Sequence, residues 1–358
     1  MNDLSGARVL VVGAGVLGLS VAVEAAARGA RCTVFDPDAH DNASGVAAGM
    51  LAPAFESALD PTCTGRLALF RAARDLWPAF CERHGLPAPE RAGAVWVDPA
   101  RAATTSDVAD ALAREGAVFE HLSAGDLRRL TPGLAPHLSA AILTPEDWRI
   151  DPAPALAALA AGLTAHGGEL VSATVAAASA DGVQIGAETV GGDAVAICAG
   201  PSTGEFPAAA PELSVLRPIK GEILRFDGMD PRTGPTLRSP GGYLVPNPGG
   251  ALAGATMDEG AGDRALTAAA ALSLRAMAGA LYPSLANAPA TQRAAVRAAT
   301  PDGLPLAGRS ATGVWLAAGA RRNGWLLAPL VGSIVADGLA GASPPPWAEA
   351  LRPARFAA

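Results

Sequence analysis

The stretch ARVLVVGAGVLGLSVAVEAAARGARCTVFD, Ala7 to Asp36, decides how the chain begins to fold. Ala7 to Val12 is a short β-branched run suited to a buried parallel strand. Gly13, Gly15 and Gly18 follow as GxGxxG. The first glycine permits a tight turn, the second lets backbone approach a pyrophosphate, and the third lets the next helix pack close to the strand. Ala14, Val16 and Leu17 complete the turn and open a helix whose free N–H groups and dipole suit phosphate. Gly29 is placed to end that helix, and Arg31 to Phe35 reads as a second strand. Asp36 closes it, about 20 residues after the turn, where a carboxylate meets the adenosine ribose hydroxyls. Together these elements predict a dinucleotide cradle. The acid disfavours a ribose 2′-phosphate and leaves NAD or FAD open.

The rest of the chain bounds that reading. A length of 358 residues suits two lobes better than one compact core. Half the residues are apolar and 17% are charged, the composition of a core-rich folded enzyme. The formal charge is -7 and no basic stripe interleaves with aromatics, which argues against nucleic acid as a partner. Cys32, Cys63, Cys81 and Cys198 form no CxxC pair and no metal-ligand spacing, so no metal site is expected and the thiols read as small buried groups. Val9 to Ala27 is long enough to span a bilayer, but a glycine turn breaks it and Glu24 interrupts it. No membrane association is expected. With no leader-like segment and no paired cysteines, the expected compartment is the cytoplasm.

DNASGVAAGMLAP, Asp41 to Pro53, follows the cradle. Ser44, Ala48, Gly49, Met50 and Leu51 form a small-residue run suited to backbone lying along an extended cofactor, where an NAD enzyme would continue with another βα repeat. A small-residue surface loop is the alternative. Four blocks, GAGVLGLS, ASGVAAGMLAP, VRAATPDGLPLAGR and GARRNGWLLAP, spread from near the N-terminus almost to the C-terminus. With the weaker RPIKGEILRF, GGYLVP and GATMDEG, they make the chain resemble the FAD-dependent D-amino-acid oxidase family. Within that family it resembles the glycine oxidases of the thiamine-biosynthesis type.

The resemblance implies an α/β (α+β) fold, with a Rossmann-like FAD-binding lobe on a parallel sheet and an antiparallel-sheet substrate lobe. The FAD lobe is expected at residues 1–86, 141–213 and 297–358, and the substrate lobe at 87–140 and 214–296. Asp193 to Thr203 reads as a third cofactor-side strand, Ile219 to Phe226 and Tyr243 to Pro246 as alternating strands of the other sheet. Pro37, Ala199, Gly200 and the backbone of Val175 join the implied FAD contacts. FAD is expected to be non-covalent, because no cysteine follows Cys198 and no histidine lies in the blocks near the flavin.

A planar arginine fork is the natural clamp for a substrate carboxylate. Arg297 matches the family's carboxylate-binding arginine, Tyr243 the tyrosine beside it, and Arg322 a second cation of the pocket. Both arginines are also expected against the cofactor. Asn323, Gly324, Trp325 and Leu326 begin a helix aimed at the flavin edge where charge builds on reduction. Arg321 departs from the family pattern, which has an aromatic residue or histidine there. Lys220 is the only lysine and reads as structural; His40, His84, His121, His137 and His166 read as solvated. The implied reaction is oxidative deamination of glycine or a related small or N-substituted amino acid to a 2-oxo acid, ammonia or amine, and peroxide. The implied partners are that substrate and molecular oxygen, in a possible homo-oligomer. Alternatives are bulkier N-substituted glycines, D-amino acids, or a dehydrogenase using another electron carrier.

Overall fold

The computed structural model describes residues 3–39, 41–99, 103–227, 234–247 and 249–356. Strand β1 (Arg8–Val12) is buried from Val9 to Val12 on both faces, as befits a central strand of a covered sheet. It pairs in parallel with β2 (Arg31–Phe35) on one side and with Ala194–Ile197 on the other. Glu169–Val171 extends the sheet beyond β2, and Trp315–Ala318 beyond Ala194–Ile197; Leu306–Arg309 closes that edge antiparallel. The first lobe is therefore the doubly covered parallel sheet that the opening stretch predicts. Helix α1 (Val16–Ala26) leaves the glycine turn, and α2 (Pro53–Leu59) ends the small-residue run. Helix α3 (Gly324–Leu339) packs on α1 so closely that a Cβ on Gly332 would stand 3.0 Å from the Ser20 carbonyl oxygen.

The second lobe is a nine-stranded sheet that roofs the first. Its main strands are β3 (Ala94–Val97), β4 (Arg217–Asp227), β5 (Thr236–Ser239), β6 (Gly242–Asn247), β7 (Gly250–Gly254) and β8 (Thr291–Ala299). They lie in the order β8, β4, β7, β6, β5, β3, antiparallel except for the β5–β3 pair. The expected polar alternation fails on β4, which is buried from Ile219 to Leu224. Ile223 packs beside Val46 and Ala48 of the first lobe, while Leu224 and Phe226 join a core with Leu274 and Leu281. Both faces are covered, so the strand is buried whether its residues are apolar or, like Lys220 and Glu222, charged and paired. Ala141–Thr144 pairs with β3, so the chain returns to the first lobe after Thr144 rather than at 141, and the boundary expected at 297 falls inside β8. Among the described residues no helix is long and apolar enough to cross a membrane.

One expectation is overturned outright. His84 is buried, and its Nε2 lies 3.1 Å from Glu24 Oε1 in the last turn of α1. Arg83 and Arg28 also pair with Glu24, at 2.7 and 2.5 Å, and Arg28 reaches Asp337 on α3 at 2.6 Å. Sequence spacing does not show that the chain end of Trp77–His84 packs on α1. His121, His137 and His166 are exposed as expected, and His40 lies outside the described residues. Burial pushes the Glu24 carboxyl up, but hydrogen bonds from His84 and Arg28 and the charges of Arg83 and Arg28 outweigh it and hold the pKa at about 2. That contribution to stability is complete above the ordinary value of 4.5 and is lost as the pH falls toward about 2. Glu24→Gln should cost about 3 kcal/mol at neutral pH. Thermal unfolding followed down the acid range should also show that the variant has lost this step.

Candidate active site

The cradle is held at backbone level. Gly13 has φ +105°, and a Cβ there would stand 2.5 Å from the Cys198 carbonyl oxygen; a Cβ on Gly18 would meet the Gly13 carbonyl at 2.0 Å. Only glycine allows the strand, the turn and α1 to approach so closely. The Asp36 carboxylate accepts from the Ala14 N–H at 2.7 Å and thereby holds the turn against the end of β2. Ser44 accepts from the Val16 N–H at 2.9 Å, tying the Asp41–Pro53 run to the start of α1. Asn42, which sequence reasoning passed over, accepts from the N–H groups of Ser44 and Gly45. At the start of α1 the Ser44 hydroxyl takes only the Val16 N–H, and no side chain of Asn323 caps α3, so N–H groups at both positive helix ends remain to meet an anionic group. Ala48, Gly49 and Met50 line the cavity beside them with Trp325, whose Nε1 donates to the Ser44 carbonyl at 3.1 Å. These features fit an extended dinucleotide. Gly200, with φ +56°, turns the chain after Ala199 at the end of Ala194–Ile197. Pro37 follows Asp36; Val175, Leu51 and Leu326 are buried in the core, and Leu17 is half-buried at the start of α1.

Beyond the cradle opens a cavity of about 350 Å³ under the roof. Arg238, Arg297 and Arg322 line it, with Tyr243, Trp96 and Met257, and among the described residues its lining contains no Asp, Glu, His or Lys. Arg297 on β8 lays its guanidinium over Gly221 of β4, where a Cβ would come within 2.1 Å of Nη1. Its Nη1 has only long contacts, to the Thr256 carbonyl at 3.4 Å and the Met257 sulfur at 3.5 Å. Burial, reinforced by the charges of Arg322 and Arg321, pulls its pKa below the arginine value. An anion placed there would relieve that cost. Tyr243 is buried, with its hydroxyl over Gly254; burial raises its pKa, so the phenol is a proton donor at neutral pH.

The adjacent arginines before α3 share Asp60, and Arg322 pairs with Glu56 besides. Arg321 pairs with Asp60, its backbone at φ +51°, and braces the loop rather than lining the cavity. Arg322 places Nε 2.9 Å from Glu56 Oε2, and Arg238 Nη2 donates to Glu56 Oε1 at 3.0 Å. The Glu56 charge, the largest influence, raises the Arg322 pKa. Glu56, Asp60 and Arg238 were not anticipated. The signal was present in PAFESALD, whose carboxylates stand four residues apart and so share a helix face. Asp147, also missed, holds this helix by accepting from the Ala54 and Phe55 N–H groups at 2.8 and 3.2 Å. Lys220 is buried and bonds Asp263 at 3.2 Å, the structural role expected of it.

A dinucleotide cradle opening onto an arginine-lined cavity beneath a separate sheet defines a two-lobed flavin-dependent oxidoreductase. The family model described as DAO, FAD dependent oxidoreductase, matches residues 8–338. The chain belongs to that family, and FAD is its cofactor. Glycine oxidase of Geobacillus kaustophilus is 31% identical over 348 residues, covering 92% of each chain. A Rhizobium etli protein named for thiamine biosynthesis, the oxidoreductase ThiO, is 32% identical over 92% of this chain and 95% of its own. The tRNA 5-methylaminomethyl-2-thiouridine biosynthesis bifunctional protein MnmC of Caulobacter is 32% identical over 98% of this chain but 57% of its own length. The crystal structure of the Geobacillus glycine oxidase superposes with a TM-score of 0.81 over 94% of this chain and 96% of its own.

Gly18→Ala would drive a methyl group against the Gly13 carbonyl, and the turn would have to open. The purified variant is expected to retain less than about a tenth of the wild-type FAD, a loss of at least about 1.4 kcal/mol in binding. Flavin absorbance per protein after gel filtration measures this.

Proposed function

We infer that this flavoprotein oxidises a small amino acid or N-substituted glycine to a 2-oxo acid and ammonia or an amine, with oxygen as electron acceptor. The observation that carries the reading is Arg297, a half-buried guanidinium with no carboxylate partner among the described residues, beside the protonated phenol of Tyr243. A fork and a phenol together suit a carboxylate. FAD, when bound, accepts a hydride from the substrate's α-carbon and passes both electrons to oxygen, which leaves as peroxide.

The chain's own residues set the conditions for that chemistry. Arg297 and Tyr243 fix the carboxylate and so turn the α-carbon toward the cradle side of the cavity. The three guanidinium groups on the wall lower the pKa of a bound ammonium, favouring the neutral amine that oxidation requires. Among the described lining residues there is no Asp, Glu, His or Lys to serve as a base, and Tyr243 keeps its proton, so the amine proton leaves to water. Arg322 and the start of α3 would hold FAD from the side of α3, and their positive charge would favour the reduced, negatively charged cofactor. Water then adds across the C=N bond of the released imine to give the 2-oxo acid and the amine. The four free, buried cysteines support a cytoplasmic enzyme. A role in thiamine biosynthesis rests on the ThiO relative alone.

Arg297→Ala removes a charge-assisted hydrogen bond of about 1.5–3 kcal/mol, so the Michaelis constant should rise roughly 10- to 100-fold. Gly221→Ala should do the same more mildly, because its methyl group displaces the guanidinium while leaving backbone in place. Initial rates with glycine and sarcosine, read as peroxide formed, test both. An unchanged constant in Arg297→Ala excludes the clamp, and amine oxidation without peroxide excludes oxygen as acceptor.

A further inference from the structure

We propose that the substrate carries a second anionic group and that Arg238 receives it; this rests on the amino-acid oxidase reading above. Arg297 and Arg238 stand at opposite ends of one sheet face. In the order β4, β7, β6, β5 the strands bearing Gly221 and Arg238 are three steps apart, roughly 14 Å at sheet spacing. Tyr243 is the direct cross-strand neighbour of Arg238, and Trp96 is its register partner on β3. All of these line the same cavity.

The Arg238 end is equipped for a ligand that glycine cannot supply. Arg238 gives Nη2 to Glu56, but Nη1 meets only the Met50 sulfur, at 3.5 Å. The Trp96 Nε1 and the Ser239 hydroxyl, on residues that also line the cavity, are buried and lack hydrogen-bond partners. Arg238 thus keeps one end of its guanidinium without an oxygen partner, and a carboxylate oxygen is the partner it lacks. Charge agrees. Arg238, Arg297, Arg321 and Arg322 stand against two carboxylates, Glu56 and Asp60, so a monocarboxylate on Arg297 leaves one positive charge uncompensated. An amine bearing two carboxylates meets both ends. The second sits either on nitrogen, as in iminodiacetate, or on the side chain, as in D-aspartate and D-glutamate.

The test uses the FAD-loaded enzyme in two parts. In the first, acetate and the diacids malonate, succinate and glutarate are titrated against the flavin spectrum, which reads binding without turnover. In the second, anaerobic flavin reduction by glycine, sarcosine, iminodiacetate, D-aspartate and D-glutamate is timed in wild type, Arg238→Gln and Arg238→Lys. The proposal expects at least one diacid to bind about tenfold tighter than acetate. It also expects one amino dicarboxylate to reduce the flavin with at least tenfold greater efficiency than sarcosine. Arg238→Gln should collapse that preference, and Arg238→Lys should restore part of it. Iminodiacetate as the best reductant places the second group on nitrogen, and a D-amino acid places it on carbon. Equal binding of acetate and diacids, with monocarboxylates reducing the flavin at least as well, overturns the proposal and leaves the oxidase reading intact. If Arg238→Gln fails to fold, the wild-type titration decides alone. If diacids bind but no amine reduces the flavin, the oxidase reading fails and this inference fails with it.

Discussion

Glu56 is the pivot of the molecule. Its carboxylate joins Arg238 on the roof sheet to Arg322 beside the cofactor helix, so one buried anion holds the two lobes in register at the site they share. A buried charge shared by two guanidinium groups is stable only while both partners stay in place. The helix that presents it is short, seven residues, and could not hold its position alone. Asp147, arriving from far along the chain, fastens its first N–H groups. Arg238 and Arg322 therefore occupy fixed positions because Glu56, on a helix that Asp147 fastens, holds them both.

Around that pivot the chemistry is divided between backbone and side chain. The cofactor side is built from glycine and alanine, where the absence of side chains lets the strand, turn and helix converge. The substrate side is built from arginines and one tyrosine. Arg297 is the one of the three cavity arginines that Glu56 does not touch, and burial makes its positive charge costly. A carboxylate that enters gains from relieving that cost, which concentrates binding energy at the group that orients the α-carbon.

Much of this was legible in residue order. The GxGxxG turn, the flanking strands and Asp36 gave a local pattern that needs no distant contact, and the parallel sheet formed around it. Arg297, Tyr243 and Arg322 were singled out from short blocks, and all three line one cavity. The pairing of Arg321 with Asp60 was not legible, nor was the burial of His84 against Glu24. Each joins groups that are remote in sequence and whose local surroundings look like solvated surface. The polar alternation expected for β4 failed for a related reason: a strand's second face is polar only if nothing covers it, and here the other lobe does.

The sequence by itself determined the elements that depend on neighbours in the chain: the cradle, the helix after Asn323, and the presence of arginines suited to an anion. Tertiary structure alone decided which arginines are neutralised and which remain available. That outcome depends on where Glu56 and Asp60 come to rest in space. Electrostatic pairing acts over a few ångströms of distance, whatever the separation along the chain.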